Sequence, residues 1–264
     1  MEWKSNAEHL FMEGNLQYHI QCRDGDINKY VLLPGDPERV DIIAENWEEK
    51  KFIASHREYR TFSGKYSGTA LSACSTGIGG PSAAIAIEEL SELGADTFIR
   101  IGTCGAINEK INCGDLIICT GAMRQEGTSE DYIDISYPAM ADYRIVAALI
   151  KACKKFGKKY YAGITCTTAS FHLGQARPGF HAYTQSGLEN KIKDLQRAGV
   201  LCFEMETATI LTLAGVYGLR AGSVLAVVAD RNKNKFVYSG IEDSIIIANE
   251  AVKILAEEDV FYGL

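Results

Sequence analysis

The stretch TALSACSTGIGGPSAAIAIEEL, residues 69–90, is the clearest indication of fold in this chain. Its apolar start favours a β-strand that ends near Cys74, and from Ala83 onward apolar residues recur at helical spacing. Glycines in the turn between them let the backbone approach a ligand, and free amides at a helix start attract anions. A tight strand-to-helix turn without a ligand explains the stretch equally well, because its spacing matches neither a P-loop nor the dinucleotide-binding glycine motif.

A second stretch, TFIRIGTCGA at 97–106, places a charge inside an apolar strand. Arg100 lies between Ile99 and Ile101, where an unpaired charge would cost several kcal/mol, so it requires a carboxylate or an anionic ligand. We favour the ligand over a structural ion pair, because perturbed charges cluster at functional sites. Thr103 adds a hydroxyl and an amide as neutral donors. Together the two stretches predict an anion pocket that contains a fixed cation.

Strand and helix patterns alternate along the chain, which predicts an α/β sheet covered on both faces, in one domain over residues 1–264. The predicted strands cover about 30–33, 69–75, 97–102, 115–120, 161–168, 200–203 and 222–229. The predicted helices cover about 37–46, 82–93, 142–156, 206–217 and 242–257. Two irregular stretches, 121–141 and 169–185, are expected to form binding loops or lids. Ligands bind at the carboxyl ends of strands in such sheets, so residues that follow strands are the candidates.

The composition is ordinary for a soluble enzyme, with 47% hydrophobic and 23% charged residues among 264. A formal charge of −7 argues against a nucleic-acid-binding surface. The eight cysteines include no C-x-x-C pair and lie mostly in apolar runs, which favours reduced, buried thiols in a cytoplasmic protein over disulfides or a zinc site. The N-terminus lacks a basic region followed by an apolar core, and no apolar run approaches about eighteen residues. We therefore expect neither export nor membrane insertion.

The turn LPGDPERV at 33–40 offers a further set of anion donors. The Gly35 amide and the Arg39 guanidinium could both face an anion. A capped helix start explains the turn nearly as well, with Asp36 as the cap and Pro37 in the first helical position.

Two carboxylates, Glu204 and Glu206, stand where FEMETATILT at 203–212 passes from strand to helix. Acidic residues favour helix N-termini through the macrodipole, which is one explanation. A carboxylate also accepts two hydrogen bonds from a cis-diol, so a carboxylate near an anion pocket would suit a ribose. The local sequence leaves both explanations open.

Two polar pairs follow later in the chain. Gln175 and Arg177 lie in a loop rich in glycine and proline, and their amide and guanidinium suit an imide edge of alternating oxygen, NH and oxygen. Solvated loop residues would look the same. Asp230 and Arg231 close the last apolar strand, where they could pair with each other or contact a ligand.

Taken in order, these motifs resemble the nucleoside phosphorylase family whose members are the hexameric bacterial purine and uridine phosphorylases. The resemblance runs from about His9 to Leu255 and is carried by LPGDPERV, ASHREY, CSTGIGGPS, FIRIGTCGAI, INCGDL, GQAR, FEMETATILT and GLRAG. It implies a three-layer α/β/α fold of the phosphorylase/hydrolase type, with a central mixed β-sheet.

The resemblance also implies roles for individual residues. Phosphate would be bound by Gly35, Arg39, Arg57, Arg100 and Thr103. Ribose would be bound by His9, Thr103, Glu204, Met205 and Glu206, and the base by Phe171, Gln175, Arg177, Asp230 and Arg231. Catalysis would rest on Arg100, Gln175, Arg177 and Glu206, while Arg57 and His9 would reach the site of a neighbouring subunit. A monovalent cation, K⁺, would lie at the dimer interface beside Glu58, Ile78 and Ser82.

The implied reaction is the reversible phosphorolysis of uridine to uracil and ribose 1-phosphate in pyrimidine salvage. Inorganic phosphate would be the co-substrate, no cofactor would be required, and the assembly would be a homo-oligomer, at least a dimer and in the family pattern a hexamer. Asp230 keeps purine nucleosides open, because the uridine enzymes usually carry asparagine there and the purine enzymes carry an aspartate that protonates the base. Gln175 and Arg177 favour a pyrimidine, since the purine enzymes lack that pair. The same motifs are also compatible with a nucleosidase of this fold and with a catalytically silent nucleoside-binding protein.

Overall fold

The computed structural model describes residues 11–12 and 14–263. Over these residues the helices are α1 Pro37–Glu45, α2 Gly80–Glu92, α3 Tyr143–Lys155, α4 Leu188–Arg197, α5 Thr207–Val216 and α6 Ile241–Tyr262. The first strands are β1 Phe11–Met12, β2 Leu16–Gln17, β3 Tyr30–Pro34, β4 Glu49–His56, β5 Tyr59–Tyr66, β6 Thr69–Cys74 and β7 Thr97–Ala106. The later strands are β8 Leu116–Gln125, β9 Ala139–Met140, β10 Tyr160–Thr168, β11 Cys202–Glu204, β12 Arg220–Asp230 and β13 Lys235–Phe236. Short 3-10 helices cover Thr128–Asp131, Leu173–Gln175 and Phe180–Ala182.

The strands β3 to β13 form one mixed sheet, and β1 and β2 form a separate antiparallel pair. Strand β7 pairs in parallel with β3 on one side and with β12 on the other, and its last residues pair antiparallel with β11. Because β11 continues through β10 and β8 back to β12, these five strands close into a ring. The open part of the sheet extends from β3 through β6 and β5 to the edge strand β4.

Alternating side chains of the central strands face two helical layers. Leu32 of β3 packs in the core beneath α1, α3 and α6, whereas its neighbours Val31 and Leu33 pack in the core beneath α2 and α5. Phe98 of β7 also faces α2 and α5. Because side chains two residues apart share one face of a strand, Arg100 points to that same side. The prediction of an α/β sheet with helices on both faces is confirmed.

Every predicted strand and helix is present, and the differences lie at the periphery. The hairpin of β4 and β5 was not predicted, because β4 is an edge strand with mostly exposed residues and lacks a clear apolar alternation. Helix α4 was also missed, since its residues are largely polar and only Leu195 is buried. The stretch 121–141 was predicted to be irregular, but its first five residues continue β8 to Gln125.

Aliphatic and sulfur-containing side chains from the five-strand ring form a buried core cluster. Cys104, Cys119 and Cys202 lie there with Leu225 and Val227. Burial raises the pKa of the Cys119 and Cys202 thiols well above the usual range, so both stay protonated at neutral pH. Seven of the eight cysteines in the chain are buried. Over residues 14–263 and the pair 11–12, no helix is long and apolar enough to cross a membrane.

Candidate active site

A cavity of about 710 Å³ opens at the carboxyl ends of β3, β7, β11 and β12. The starts of three helices meet there, because residues just before or within the first turns of α1, α2 and α5 line its wall. Helix N-termini present free amides and the positive end of the macrodipole, so their convergence favours an anion. The cavity lies where the strand-end rule predicts a ligand.

The phosphate residues expected within one chain come together on one side of this cavity. Gly35, Arg39, Arg100 and Thr103 all line it. Arg39 is buried, and its Nη1 donates to the carbonyl oxygen of Ile101 at 3.3 Å. The helix-cap explanation of the 33–40 turn also holds, because the Asp36 side chain caps α1 by accepting from the Glu38 amide. Capping the helix therefore fixes the turn that carries the proposed anion donors.

Arg100, like Arg39, is a buried cation that lines the cavity, with 4% of its surface exposed. Its Nη2 pairs with Glu206 Oε2, and its Nε lies 3.3 Å from Glu204 Oε2. Burial alone would lower the pKa of this guanidinium, but Glu206 and Glu204 more than offset that effect and raise it. Nη1 is buried and has no hydrogen-bond partner among the described residues, which leaves a donor for a ligand. Arg100 thus forms the ion pair that one explanation required and keeps an unpaired donor among the described residues, so ligand contact stays a prediction that the ion pair does not exclude.

The glycine-rich turn holds a carboxylate instead of presenting all its amides to the cavity. The backbone amide of Gly79 donates to Glu206 Oε1 at 2.6 Å, so this residue at the start of α2 positions Glu206 at the start of α5. Burial raises the pKa of Glu206, Arg100 lowers it and Glu204 raises it, and the net direction is upward. Gly77 and Ile78 line the cavity.

Glu204 is enclosed by protein donors. Its Oε2 accepts from the amides of Glu206 and Thr207 at 2.9 and 2.8 Å, and its Oε1 accepts from the Thr167 hydroxyl. The side chain has no exposed surface. With Arg100 beside it, Glu204 is positioned to hold the cation and the start of α5. Glu204, Met205 and Glu206 all line the cavity, so these three ribose candidates lie together.

Gln175 and Arg177 form a hydrogen-bonded pair in the wall of the same cavity. Arg177 Nη1 donates to Gln175 Oε1 at 2.6 Å and to the Phe171 carbonyl at 2.8 Å, and its guanidinium carbon lies 4.0 Å from the Phe171 ring centroid. Burial and the nearby Arg231 lower the pKa of Arg177 to about 10, so it remains charged at neutral pH. Arg177 donates to the side-chain oxygen Oε1 of Gln175, and the Gln175 NH₂ group has no hydrogen-bond acceptor among the described residues, so it could donate to a base.

Asp230 and Arg231 stand behind this side of the cavity and do not line it. Arg231 donates from Nη1 to the Gln175 carbonyl at 2.8 Å and from Nη2 to the Ala176 carbonyl at 3.3 Å. Asp230 is buried and accepts from backbone amides of the turn that follows it. The two side chains bond to the surrounding loops and not to each other, so the pairing explanation is wrong, while contact with a ligand stays a prediction.

The residues expected to act between subunits lie away from the base side. Arg57 is exposed in the β4–β5 hairpin turn with a left-handed φ of 54°, and it does not line the cavity of its own chain. Glu58 and Ile78 line the cavity, and Ser82 Oγ donates to the Ile78 carbonyl at 3.3 Å, so the three cation candidates are neighbours. His9 lies outside the described residues.

Comparison with known proteins identifies the family. A family model described as the phosphorylase superfamily matches residues 29–258, which is most of the chain. The chain belongs to the phosphorylase superfamily. It is 55% identical over 254 residues to the uridine phosphorylase of Thermococcus kodakarensis, covering 96% of this chain and 92% of that protein. It is 37% identical to the uridine phosphorylase of Escherichia coli over 91% of this chain and 95% of the relative, and 39% identical to the guanosine phosphorylase of Halorubrum lacusprofundi over 80% and 82%.

This superfamily member has cavity-wall residues that the sequence patterns did not single out. Val228, Ala229 and Phe236 line the base side, and Phe203 lies near the ribose candidates. Val228 and Ala229 directly precede Asp230, so the rule that ligands meet strand ends could have found them. Phe236 carried no sequence signal, because only the pairing of β13 with β12 brings it opposite Ala229.

Proposed function

We propose that this phosphorylase cleaves uridine with inorganic phosphate, giving uracil and ribose 1-phosphate in a reversible reaction. One observation carries the proposal: the buried Arg100, with a donor left unpaired among the described residues, lies in the same cavity as the Gln175–Arg177 pair. An anion site and an imide-reading edge in one cavity would hold the two ends of a nucleoside and a phosphate, with the ribose between them. Glu206 and Met205 line the same cavity and would bind that ribose.

The chemistry requires phosphate to approach C1′ as the bond to the uracil nitrogen lengthens. Arg39 and Arg100, with the Gly35 amide and Thr103, would bind phosphate and orient one oxygen toward the sugar. Binding two reactants in one geometry can supply about 7–11 kcal/mol of the barrier. The phosphate oxygen forms the new bond to C1′, and the electron pair of the broken bond moves onto the uracil ring.

Gln175 and Arg177 would stabilise the departing base. Negative charge develops on the uracil oxygens as the bond breaks, and each donor aimed at such a charge contributes about 3–4 kcal/mol in a water-excluded site. Both residues are held by packed contacts before substrate arrives, since Gln175 is buried and Arg177 stacks on Phe171. This preorganisation favours uracil over a purine base.

Glu206 would hold the ribose hydroxyls. Its carboxylate already accepts from the Gly79 amide and from Arg100, and it can accept further hydrogen bonds from the sugar. Because Arg100 bonds both to Glu206 and, in this proposal, to phosphate, it couples the position of the sugar to that of the nucleophile.

The wider setting is part of the same proposal. We propose that the enzyme serves pyrimidine salvage in the cytoplasm, and its buried, reduced thiols support that location. We also propose that it acts as a homo-oligomer of at least two chains, with a hexamer as the family pattern. The exposed Arg57 supports a role in a neighbouring subunit's phosphate site. Glu58, Ile78 and Ser82 remain the proposed K⁺ site.

Phosphorolysis of a nucleoside panel tests the function. Uridine, thymidine, deoxyuridine, inosine and adenosine are each incubated with and without phosphate, and free base and sugar phosphate are measured. We expect phosphate-dependent release of uracil from uridine at a rate well above release of any purine. Base release that does not require phosphate would identify a nucleosidase instead, and preference for inosine or adenosine would support a purine phosphorylase.

A further inference from the structure

Asp230 is a buried carboxylate, and over residues 14–263 its hydrogen bonds and its ion pair all lie within the turn that follows it. Its Oδ1 accepts from the backbone amides of Asn232 and Lys233 at 3.0 and 3.1 Å. Its Oδ2 lies 3.1 Å from the Lys233 ammonium. The Asp230 side chain has 3% of its surface exposed and does not line the cavity. The carboxylate therefore faces the turn and not a base bound in the site.

The turn is the connection of a small hairpin that forms the base side of the cavity. Strand β12 ends at Asp230, which pairs with Lys235 of β13, and Ala229 pairs with Phe236. Ala229 and Phe236 both line the cavity. The geometry of this turn decides where the hairpin presents Phe236, because the register of a hairpin follows from its turn.

The same turn aims Arg231 at the base-reading loop. The Arg231 amide donates to the Ala106 carbonyl at 2.9 Å, which fixes the backbone on β7. Its guanidinium then reaches the carbonyls of Gln175 and Ala176. Ala176 has a left-handed φ of 54°, a conformation that costs about 1 kcal/mol or more for a residue with a side chain. The Arg231 contacts help to hold that backbone in place.

We propose that Asp230 is a positioning residue for base recognition: its carboxylate locks the 230–235 turn, so that Arg231 holds the Gln175 loop and Phe236 closes the base side. The inference rests on the proposed function. It also assigns the site to pyrimidine nucleosides, because a carboxylate engaged by two amides and Lys233 is not available to protonate a purine. Burial by itself would raise the pKa of Asp230, but the contacts with Lys233 and Asn232 together outweigh it and lower the pKa, which is consistent with that role.

The experiment measures steady-state constants for uridine and phosphate in D230A, D230N and K233A. D230A should raise the KM for uridine about tenfold, since hydrogen bonds to a charged acceptor contribute that much to an equilibrium, and leave the KM for phosphate within about twofold. D230N should restore most of the loss, because an amide oxygen can accept from the same two backbone amides. K233A removes the ion pair with Asp230 and a hydrogen bond to Asn112 Oδ1, both made by a half-exposed ammonium, and should change the KM for uridine by less than about threefold.

A double variant tests whether Asp230 acts through Arg231. If it does, D230A/R231M should raise the KM for uridine by clearly less than the product of the two single effects, whereas independent roles give that product. Additive effects, or an equal rise in both KM values, would overturn the proposal. The proposal would also be overturned if D230N abolished inosine phosphorolysis while uridine turnover persisted, because Asp230 would then be the acid that protonates a purine base. Absence of uridine phosphorolysis in the wild type is a different result and refutes the proposed function itself.

Discussion

Replacing Arg100 with methionine separates the structural and catalytic roles of the buried cation. The side chain pairs with Glu206 and lies beside Glu204, and both carboxylates are buried. Removing one partner of a buried ion pair typically costs about 3–5 kcal/mol, because the remaining charge is left uncompensated. We expect R100M to lose stability in this range, with Glu206 taking up a proton because burial already raises its pKa.

Adding a second substitution, E206Q, to R100M should restore stability without restoring the phosphate site. In R100M/E206Q the residue at 206 is neutral, its oxygen can still accept from the Gly79 amide, and Glu204 keeps the donors of Thr167 and Thr207. Its free energy of unfolding should return to within about 2 kcal/mol of wild type, the loss expected for one charged hydrogen bond. Urea denaturation of both variants measures this difference. R197M, which removes an exposed arginine of α4, is the matched control and should change stability little.

The catalytic loss should remain in every variant that lacks Arg100. A donor aimed at the reacting charge contributes about 2.7–4 kcal/mol, so kcat/KM for phosphate should fall about 100- to 1,000-fold in R100M. Initial rates with saturating uridine and varied phosphate measure the effect. If folded R100M or R100M/E206Q keeps kcat/KM for phosphate within about threefold of R197M, Arg100 is a structural ion-pair partner and the anion-site assignment is wrong.

Two further substitutions test the base side and the rear of the fold. Q175A should lower kcat/KM for uridine about tenfold or more and should lower inosine turnover less. The control is Q185A, which replaces an exposed glutamine of the same loop region. Equal losses for both nucleosides would contradict a role of Gln175 in reading the base. D259N should lower the free energy of unfolding at pH 7 by about 3–5 kcal/mol, because Asp259 accepts hydrogen bonds from Nη1 and Nη2 of Arg220 and from the Tyr30 hydroxyl. Burial by itself would raise the pKa of Asp259, but its hydrogen bonds with Arg220 and Tyr30 outweigh burial and lower the pKa in the folded state. The stability that Asp259 contributes is therefore complete above its pKa of 3.8 in the unfolded chain, and it is lost as the pH falls through the lower pKa of the folded state. Urea denaturation should therefore give a difference in unfolding free energy between wild type and D259N that is constant from pH 7 to about 5 and becomes smaller below pH 3.8. If this difference already becomes smaller near neutral pH, the pairing of Asp259 with Arg220 is not its source.

The alternation of strands and helices was predictable because hydrophobic periodicity is a local property. The glycine-rich turn before α2 and the turn before α1 each lie where the sequence placed them. Edge strand β4 and helix α4 were missed for the opposite reason: few of their residues are buried, so burial left little pattern in the sequence.

The pocket itself could be predicted only in part. A charge between Ile99 and Ile101 demands a partner wherever the strand lies, so Arg100 was identifiable as a site residue. Its partners were not, because Glu204 and Glu206 lie about a hundred residues further along the chain and approach it only through the pairing of β11 with β7. The direction in which the Asp230 carboxylate points could not be predicted from the sequence either, since an aspartate can accept from the backbone amides of a turn or act as a proton donor.

The sequence by itself determined the α/β class, the order of the elements and the residues that had to find a partner, since periodicity and the cost of burying charge act at each residue. The tertiary structure alone decided which partners they found. Closure of β7, β12, β8, β10 and β11 into a ring brought Arg100 to the two carboxylates, and the convergence of α2 with α5 turned the Gly79 amide to Glu206. Strand order and side-chain direction depend on contacts between residues far apart in the chain, and no local pattern encodes them.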